Sequence, residues 1–220
     1  MGTHATPPLD SPARSYRFRI RFRNESQMPQ YDWFALYRIA SEEFGRRVAN
    51  VEAWSGPTPD AEWSVADLVN HVIGEQRAVP ELLARGTSRR SLRLASAESL
   101  EPSSPYEGPQ HAWSVFAAAA SAAAAVTPAS AEILLGTDVL SLNDYLAELA
   151  SDIAIHTWDL ARATQQDEDL PGELVEAVWS HFEPQIDSLA ASGLYAAPLA
   201  VDSEAPLLVR LLAITGRDGR

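Results

Sequence analysis

The chain has no cysteine among its 220 residues. Disulfides, thiolate metal sites and a cysteine nucleophile of its own are therefore excluded, and any thiol chemistry needs a thiol from outside. Lysine is also missing: all 17 basic residues are arginine, against 30 acidic ones, for a formal charge of -13. An acidic balance of this size argues against non-specific nucleic-acid binding. No apolar run reaches the roughly 18 residues a membrane span needs. No charged segment followed by an apolar core marks a secretory signal, so a cytoplasmic protein is the expectation. No internal repeat is found. An apolar content of 46% is enough for one packed domain.

The first 27 residues differ from the rest. They hold five arginines against Asp10 and Glu25, which leaves the remainder at -16. The run "SYRFRIRFR" alternates arginine with apolar residues, a strand-like period. Two readings stand for this segment: a basic arm for an acidic partner, or an appended tail with Met28 as the true start. The tail reading is preferred, with residues 28–220 as the domain, because the periodic pattern begins just after Met28.

From there the apolar spacing is helical. Trp33, Tyr37, Ala40, Phe44, Val48 and Val51 share one face of a first helix over about 31–51. "SGPTPD" breaks it. Ser64 opens a second helix, with Asp67 placed to complete a capping box, and the helix runs to about Arg85. Residues 86–110 read as a long loop. The alanine-rich stretch 112–126 reads as a third helix. A short extended piece is expected within 131–139. Residues 141–164 form a fourth helix, and residues 171–189 a fifth with Leu174, Val175, Val178, Phe182 and Ile186 inward. A short apolar segment and a polar end follow. The pattern predicts an all-α protein, a four-helix bundle with short C-terminal additions.

Two helices carry polar groups on their apolar faces. On a wheel of about 100° per residue, His156 falls about 20° from Leu149, beside the arc of Leu149, Leu160 and Ile153, and Asp152 lies one turn before it. On the second helix His71 sits at the edge of the face of Leu68, Val72, Val79 and Leu83, and Glu75 nearer its centre. A buried carboxylate needs a proton, a cation or hydrogen-bond donors. Two imidazoles and one or two carboxylates from facing helices suit a divalent metal such as Zn, Ni, Fe or Mn. Three protein ligands would leave coordination positions open, as catalytic sites do. The plainer alternatives are a satisfied core histidine and ordinary helix ion pairs: Asp152 with His156, and Asp159 with Arg162. His111 and His181 are expected at the surface or in packing, and Trp63 and Trp158 in packing.

Three motifs, in order, carry a resemblance. "WSGPTPDAEWSVADLVNHVIGEQRAVPELLARG" (54–86), "DIAIHTWDLARAT" (152–164) and "RLLAITGRDG" (210–219) resemble the DinB-like metal-binding superfamily. The nearer likeness is to the branch with the N-terminal domain of mycothiol-dependent maleylpyruvate isomerase. The resemblance implies a four-helix bundle connected up-down-down-up. It implies a metal triad of a second-helix His and a fourth-helix acidic-x-x-x-His pair, which fall here on His71, Asp152 and His156. The implied metal is divalent, zinc first, with nickel or another ion as alternatives. The implied co-substrate is a low-molecular-weight thiol such as mycothiol.

The function so implied is a metal-dependent thiol S-transferase or isomerase acting with a small thiol on an electrophilic substrate, as a monomer or homodimer. Glu75 would be a further ligand, the support of one, or a general base, and Arg77 would meet an anionic thiol or substrate. The alternatives are a non-catalytic metal-binding or interaction protein and a metal-dependent hydrolase. The sequence departs from the pattern in three places. Asp152 stands where the isomerase has Glu, Asp60 where many relatives have Cys, and the residues after 165 are too few for the isomerase's second domain, so maleylpyruvate is not the expected substrate.

Overall fold

A computed structural model describes residues 31–60, 63–85, 108–135, 138–192 and 195–220. The arginine-rich tail and most of the expected long loop lie outside the described residues. Helix α1 is Trp33–Ala49, α2 is Val65–Ala84, α3 is Pro109–Val126 and α4 is Leu142–Thr164. Helices α5 (Gly172–Phe182), α6 (Ile186–Ser192) and α7 (Leu207–Ile214) follow. The only sheet among the described residues is the hairpin of β1 (Glu132–Leu135) and β2 (Asp138–Ser141). The protein is an all-α, DinB-like bundle with small additions.

Helices α1, α2 and α4 each start at a side chain that satisfies a free N–H group, whereas α3 starts at Gly108 with Pro109, which has no N–H to satisfy. Asp32 accepts from the Ala35 N–H at 3.0 Å for α1. Ser141 accepts from the Asp144 N–H at 3.1 Å for α4. At α2 the capping box is complete. The Ser64 hydroxyl accepts from the Asp67 N–H at 3.3 Å, and the Asp67 carboxylate accepts from the Ser64 N–H at 3.0 Å. The Ser64 hydroxyl also donates to the Asp67 carboxylate, and that bond, then the one from the Ser64 N–H, holds the carboxyl below its usual range. Ser64→Ala should cost about 1 kcal/mol, read as a lower urea midpoint with an unchanged slope. A midpoint equal to that of the wild type would show that the box does not support α2.

Helix α1 packs on α4 and α3, and α2 packs on α3 and α4, so α1 and α2 face each other diagonally. Helices α1 and α4 run the same way. Tyr37 early in α1 feels Tyr145 early in α4, and Arg47 late in α1 donates to the carbonyls of Asp167 and Asp169 just past α4. Helix α2 runs against α4, because His71 lies by Asp152 while Glu75, further along α2, influences Tyr145, earlier on α4. The connection is up-down-down-up. The faces read from the sequence are the core: Tyr37, Ala40, Phe44, Leu68, Val72, Val79, Ile153 and Leu160 are all fully buried. From Ile153 to Ala161 every residue of α4 is buried, which makes it the central helix.

Three elements differ from the sequence reading. The single extended piece is two strands, with Ile133 opposite Leu140 and both buried. Helix α3 begins at Pro109, after Gly108 at a φ of 89° that glycine adopts without strain. The fifth helix stops at Phe182, because Pro184 has no N–H to continue the ladder; a 3-10 turn over Glu183–Gln185 intervenes before α6. The turn shifts the register, so Leu189 is buried while Ile186 is only partly so. Among the described residues no helix is long and apolar enough to cross a membrane.

Candidate metal centre

Helix α2 and helix α4 cross where their polar residues meet. His71 Nε2 lies 3.7 Å from Asp152 Oδ2, and His156 Nε2 lies 3.6 Å from the same oxygen. One potential ligand atom from each of the three residues falls within 4.8 Å of the others. These separations are too long for hydrogen bonds. Asp152 Oδ2 is buried and accepts no hydrogen bond from any described residue. A buried carboxylate oxygen without a donor is costly, and here it faces the ring nitrogens of two histidines.

Glu75 extends the cluster. Its Oε1 is 3.7 Å from His71 Nε2, and its Oε2 is buried without a hydrogen-bond partner. Burial, and then the charge of Asp152, push the Glu75 carboxyl well above the usual carboxylate range. Asp152 goes the other way. Burial opposes its charge, but His156 and His71 outweigh that and hold its carboxyl well below the usual range. The two neighbouring carboxyls are thus pushed in opposite directions. Gln76, the residue after Glu75, accepts at Oε1 from the buried Tyr37 hydroxyl of α1. Burial pushes the Tyr37 phenol up to about 12.

His156 is held from behind. Its Nδ1 lies 3.2 Å from Asp159 Oδ2. Arg217 donates to the same carboxylate from Nη2 at 2.8 Å and from Nε at 3.1 Å. Asp159 is fully buried, and Arg217 is 7% exposed. Burial works against the charged form of His156, yet Asp152 and then Asp159 raise its pKa above the ordinary imidazole value. This arrangement corrects the expected Asp159–Arg162 ion pair. Arg162 instead grips Glu168, from Nε at 2.6 Å and from Nη2 at 2.7 Å. Position 159 is three residues past His156, on the same face, and that face looks inward.

Trp63 is also more than packing. Its ring centroid is 4.7 Å from that of His71 and 5.5 Å from that of His156, so one indole walls both imidazoles. It stands immediately before the Ser64 cap, so the start of α2 sets its place. The open side of the cluster is at His71 and Asp152, whose side chains are 28% and 23% exposed, against 6% for His156. Tyr195, which sequence reasoning passed over, packs its ring against that of Phe182, tilted by 60° with centroids 5.9 Å apart, and lies under the Arg217 guanidinium at 5.5 Å.

The structure does not bring Arg77 to this cluster. It is exposed on the far side of α2 from Glu75, with its guanidinium 5.8 Å from the centre of the Phe116 ring on α3. His181 pairs with Glu148 at 3.1 Å and packs against Trp33. His111 lies exposed in the first turn of α3.

Comparison with known proteins places the chain in a family. The chain matches the family described as the mycothiol maleylpyruvate isomerase N-terminal domain over residues 37–161. That span includes His71, Asp152, His156 and Asp159, and ends before Tyr195 and Arg217. Over 146 residues the chain is 32% identical to two uncharacterized proteins of Mycobacterium tuberculosis, one from strain CDC 1551 / Oshkosh and one from strain ATCC 25618 / H37Rv. Each match covers 65% of this chain and 73% of the relative. No solved structure matches the chain with significance. The chain belongs to the mycothiol maleylpyruvate isomerase N-terminal domain family, a DinB-like family.

Proposed function

We propose that the chain binds one divalent metal ion through His71 Nε2, the Asp152 carboxylate and His156 Nε2, and acts with a small external thiol on an electrophilic substrate, as a transferase or isomerase. The observation that carries the metal is Asp152 Oδ2, a buried anionic oxygen with no donor, set between two ring nitrogens. A donor set of two imidazoles and one carboxylate fits zinc, with nickel as an alternative. Such a metal, when bound, supplies Lewis acidity that favours a thiolate at neutral pH.

The chain's own residues supply the rest. Asp152 offsets the metal charge. Trp63 covers the imidazoles on one side and keeps water from them. Exposure at His71 and Asp152 gives a thiol its approach. Glu75, beside both, is the carboxyl placed to exchange a proton with an incoming thiol. The absence of cysteine and the mycothiol-related family support an external thiol such as mycothiol. Arg77 has no part in this reading.

Elemental analysis of purified protein tests it. Wild type and Glu75→Gln should each hold about one equivalent of a transition metal, and His156→Ala should hold almost none. Metal retained in His156→Ala, or none in the wild type after reconstitution, would remove the triad. A Glu75→Gln protein that loses its metal would make Glu75 a ligand instead of a proton carrier.

A further inference from the structure

We propose that Asp159, itself fixed by Arg217 of the C-terminal segment, holds His156 as the Nδ1–H tautomer with Nε2 turned to the centre of the triad. Both are positioning residues, and Arg217 lies outside the span that matches the family. The inference deepens the metal reading and rests on it only for its consequence, since the tautomer exists with or without a metal.

The geometry leaves the Asp159 carboxylate no freedom. Oδ1 accepts from Arg217 Nε, and Oδ2 accepts from Arg217 Nη2. Arg217 is pinned in turn. Its Nη1 donates to the Thr215 carbonyl at 2.8 Å, and its backbone N–H donates to the Leu212 carbonyl at 2.8 Å. Gly216, at a φ of 78°, turns the chain so that this is possible. A Cβ there would lie 2.6 Å from the Cβ and 2.9 Å from the backbone of Ala196, so no larger residue fits.

A buried carboxylate paired with arginine accepts hydrogen bonds and donates none, so the His156 nitrogen that faces it must carry the proton. Neutral imidazole then has its lone pair on Nε2. That nitrogen lies 3.6 Å from Asp152 Oδ2. Two electron-rich atoms so placed call for a cation between them. A carboxylate behind a ligand histidine fixes the ring and makes it a better ligand.

The test is nitrogen-15 NMR of the His156 ring in the metal-free protein, at a pH high enough to neutralise the imidazole. The wild type should show the proton on Nδ1; a proton on Nε2 overturns the proposal by itself. Two double variants remove the buried charge pair as a unit, so that neither leaves an unpaired ion. Asp159→Asn with Arg217→Met keeps an acceptor for Nδ1–H and should keep the tautomer. Asp159→Leu with Arg217→Met has none, should lose the single tautomer, and should bind Zn(II) about 10–100-fold more weakly than the wild type. Equal tautomers and equal Zn(II) affinity in the two double variants would mean that the clasp only supports the fold. A wild type with the Nδ1 proton that binds no metal would leave the clasp standing and end the metal reading.

Discussion

Arg217→Met should destabilise the protein by about 3–5 kcal/mol. Asp159 has no solvent exposure, and among the described residues Arg217 is the permanent cation that bonds it. Burial opposes the charge on Asp159, and its hydrogen bonds with His156 and Arg217 outweigh that and hold the carboxyl below the usual range. Without the guanidinium the carboxylate must stay ionised beside one imidazole, take up a proton, or draw in water, and each choice is costly in a helix buried on every side. The change also frees the C-terminal turn that Arg217 ties to α4 through Thr215 and Asp159. Native domains have only about 5–15 kcal/mol in all, so the variant should be partly unfolded or melt far below the wild type. Urea denaturation of both proteins measures the difference. A loss under about 1 kcal/mol, the range of exposed ion pairs, would show that the pair is solvated and not a buried clasp. Adding Asp159→Asn should recover much of the loss, because it removes the stranded charge.

Metal should raise the melting temperature substantially without being needed for the fold. Free divalent metal at about 1,000 times its Kd should add about 4 kcal/mol. For a chain of this size, that corresponds to a rise of about 8–16 °C in Tm. The sign follows from the triad: binding gives Asp152 Oδ2 the partner it lacks and brings two imidazoles to the same centre. Chelation should return the protein to its metal-free midpoint and leave it helical. The core of Tyr37, Phe44, Leu68, Ile153 and Leu160 is formed by apolar packing around the centre and does not depend on it. A zinc finger behaves differently, since its metal supplies the folding energy. Thermal melts of wild type and His71→Ala with zinc, with nickel and with chelator separate the cases. His71→Ala should show no metal-dependent rise. An equal rise in both proteins would place binding elsewhere, and unfolding on chelation would make the site structural.

Much of this protein follows from side-chain order alone. The apolar period of Trp33, Tyr37, Ala40, Phe44 and Val48 implies one buried face, because successive helical turns bring those positions into line. Ser64 with Asp67 marks the start of α2 by local hydrogen bonds that need no tertiary partner. Asp152 and His156 are one turn apart in any helix, so their shared face was legible, as were His71 and Glu75 on theirs. Where local rules compete, the reading shifted. Pro184 ends a helix that the apolar pattern carries on, and the paired strands Glu132–Leu135 and Asp138–Ser141 stand where the apolar pattern gives a single extended piece.

What the sequence by itself determined is which residues lie inward and on which helices. It could not decide which inward groups meet, because distances across helices depend on how the helices pack. Packing α2 against α4 brings His71 within 3.7 Å of Asp152 and places Trp63 over both rings. Packing the C-terminal turn against α4 brings Arg217 to Asp159 across 58 positions of chain, whereas local spacing favoured Arg162 three residues away. Sequence spacing ranks near neighbours, but burial selects the partner: an ionised carboxylate in a dry core pairs with the cation that can be buried with it, however distant in the chain.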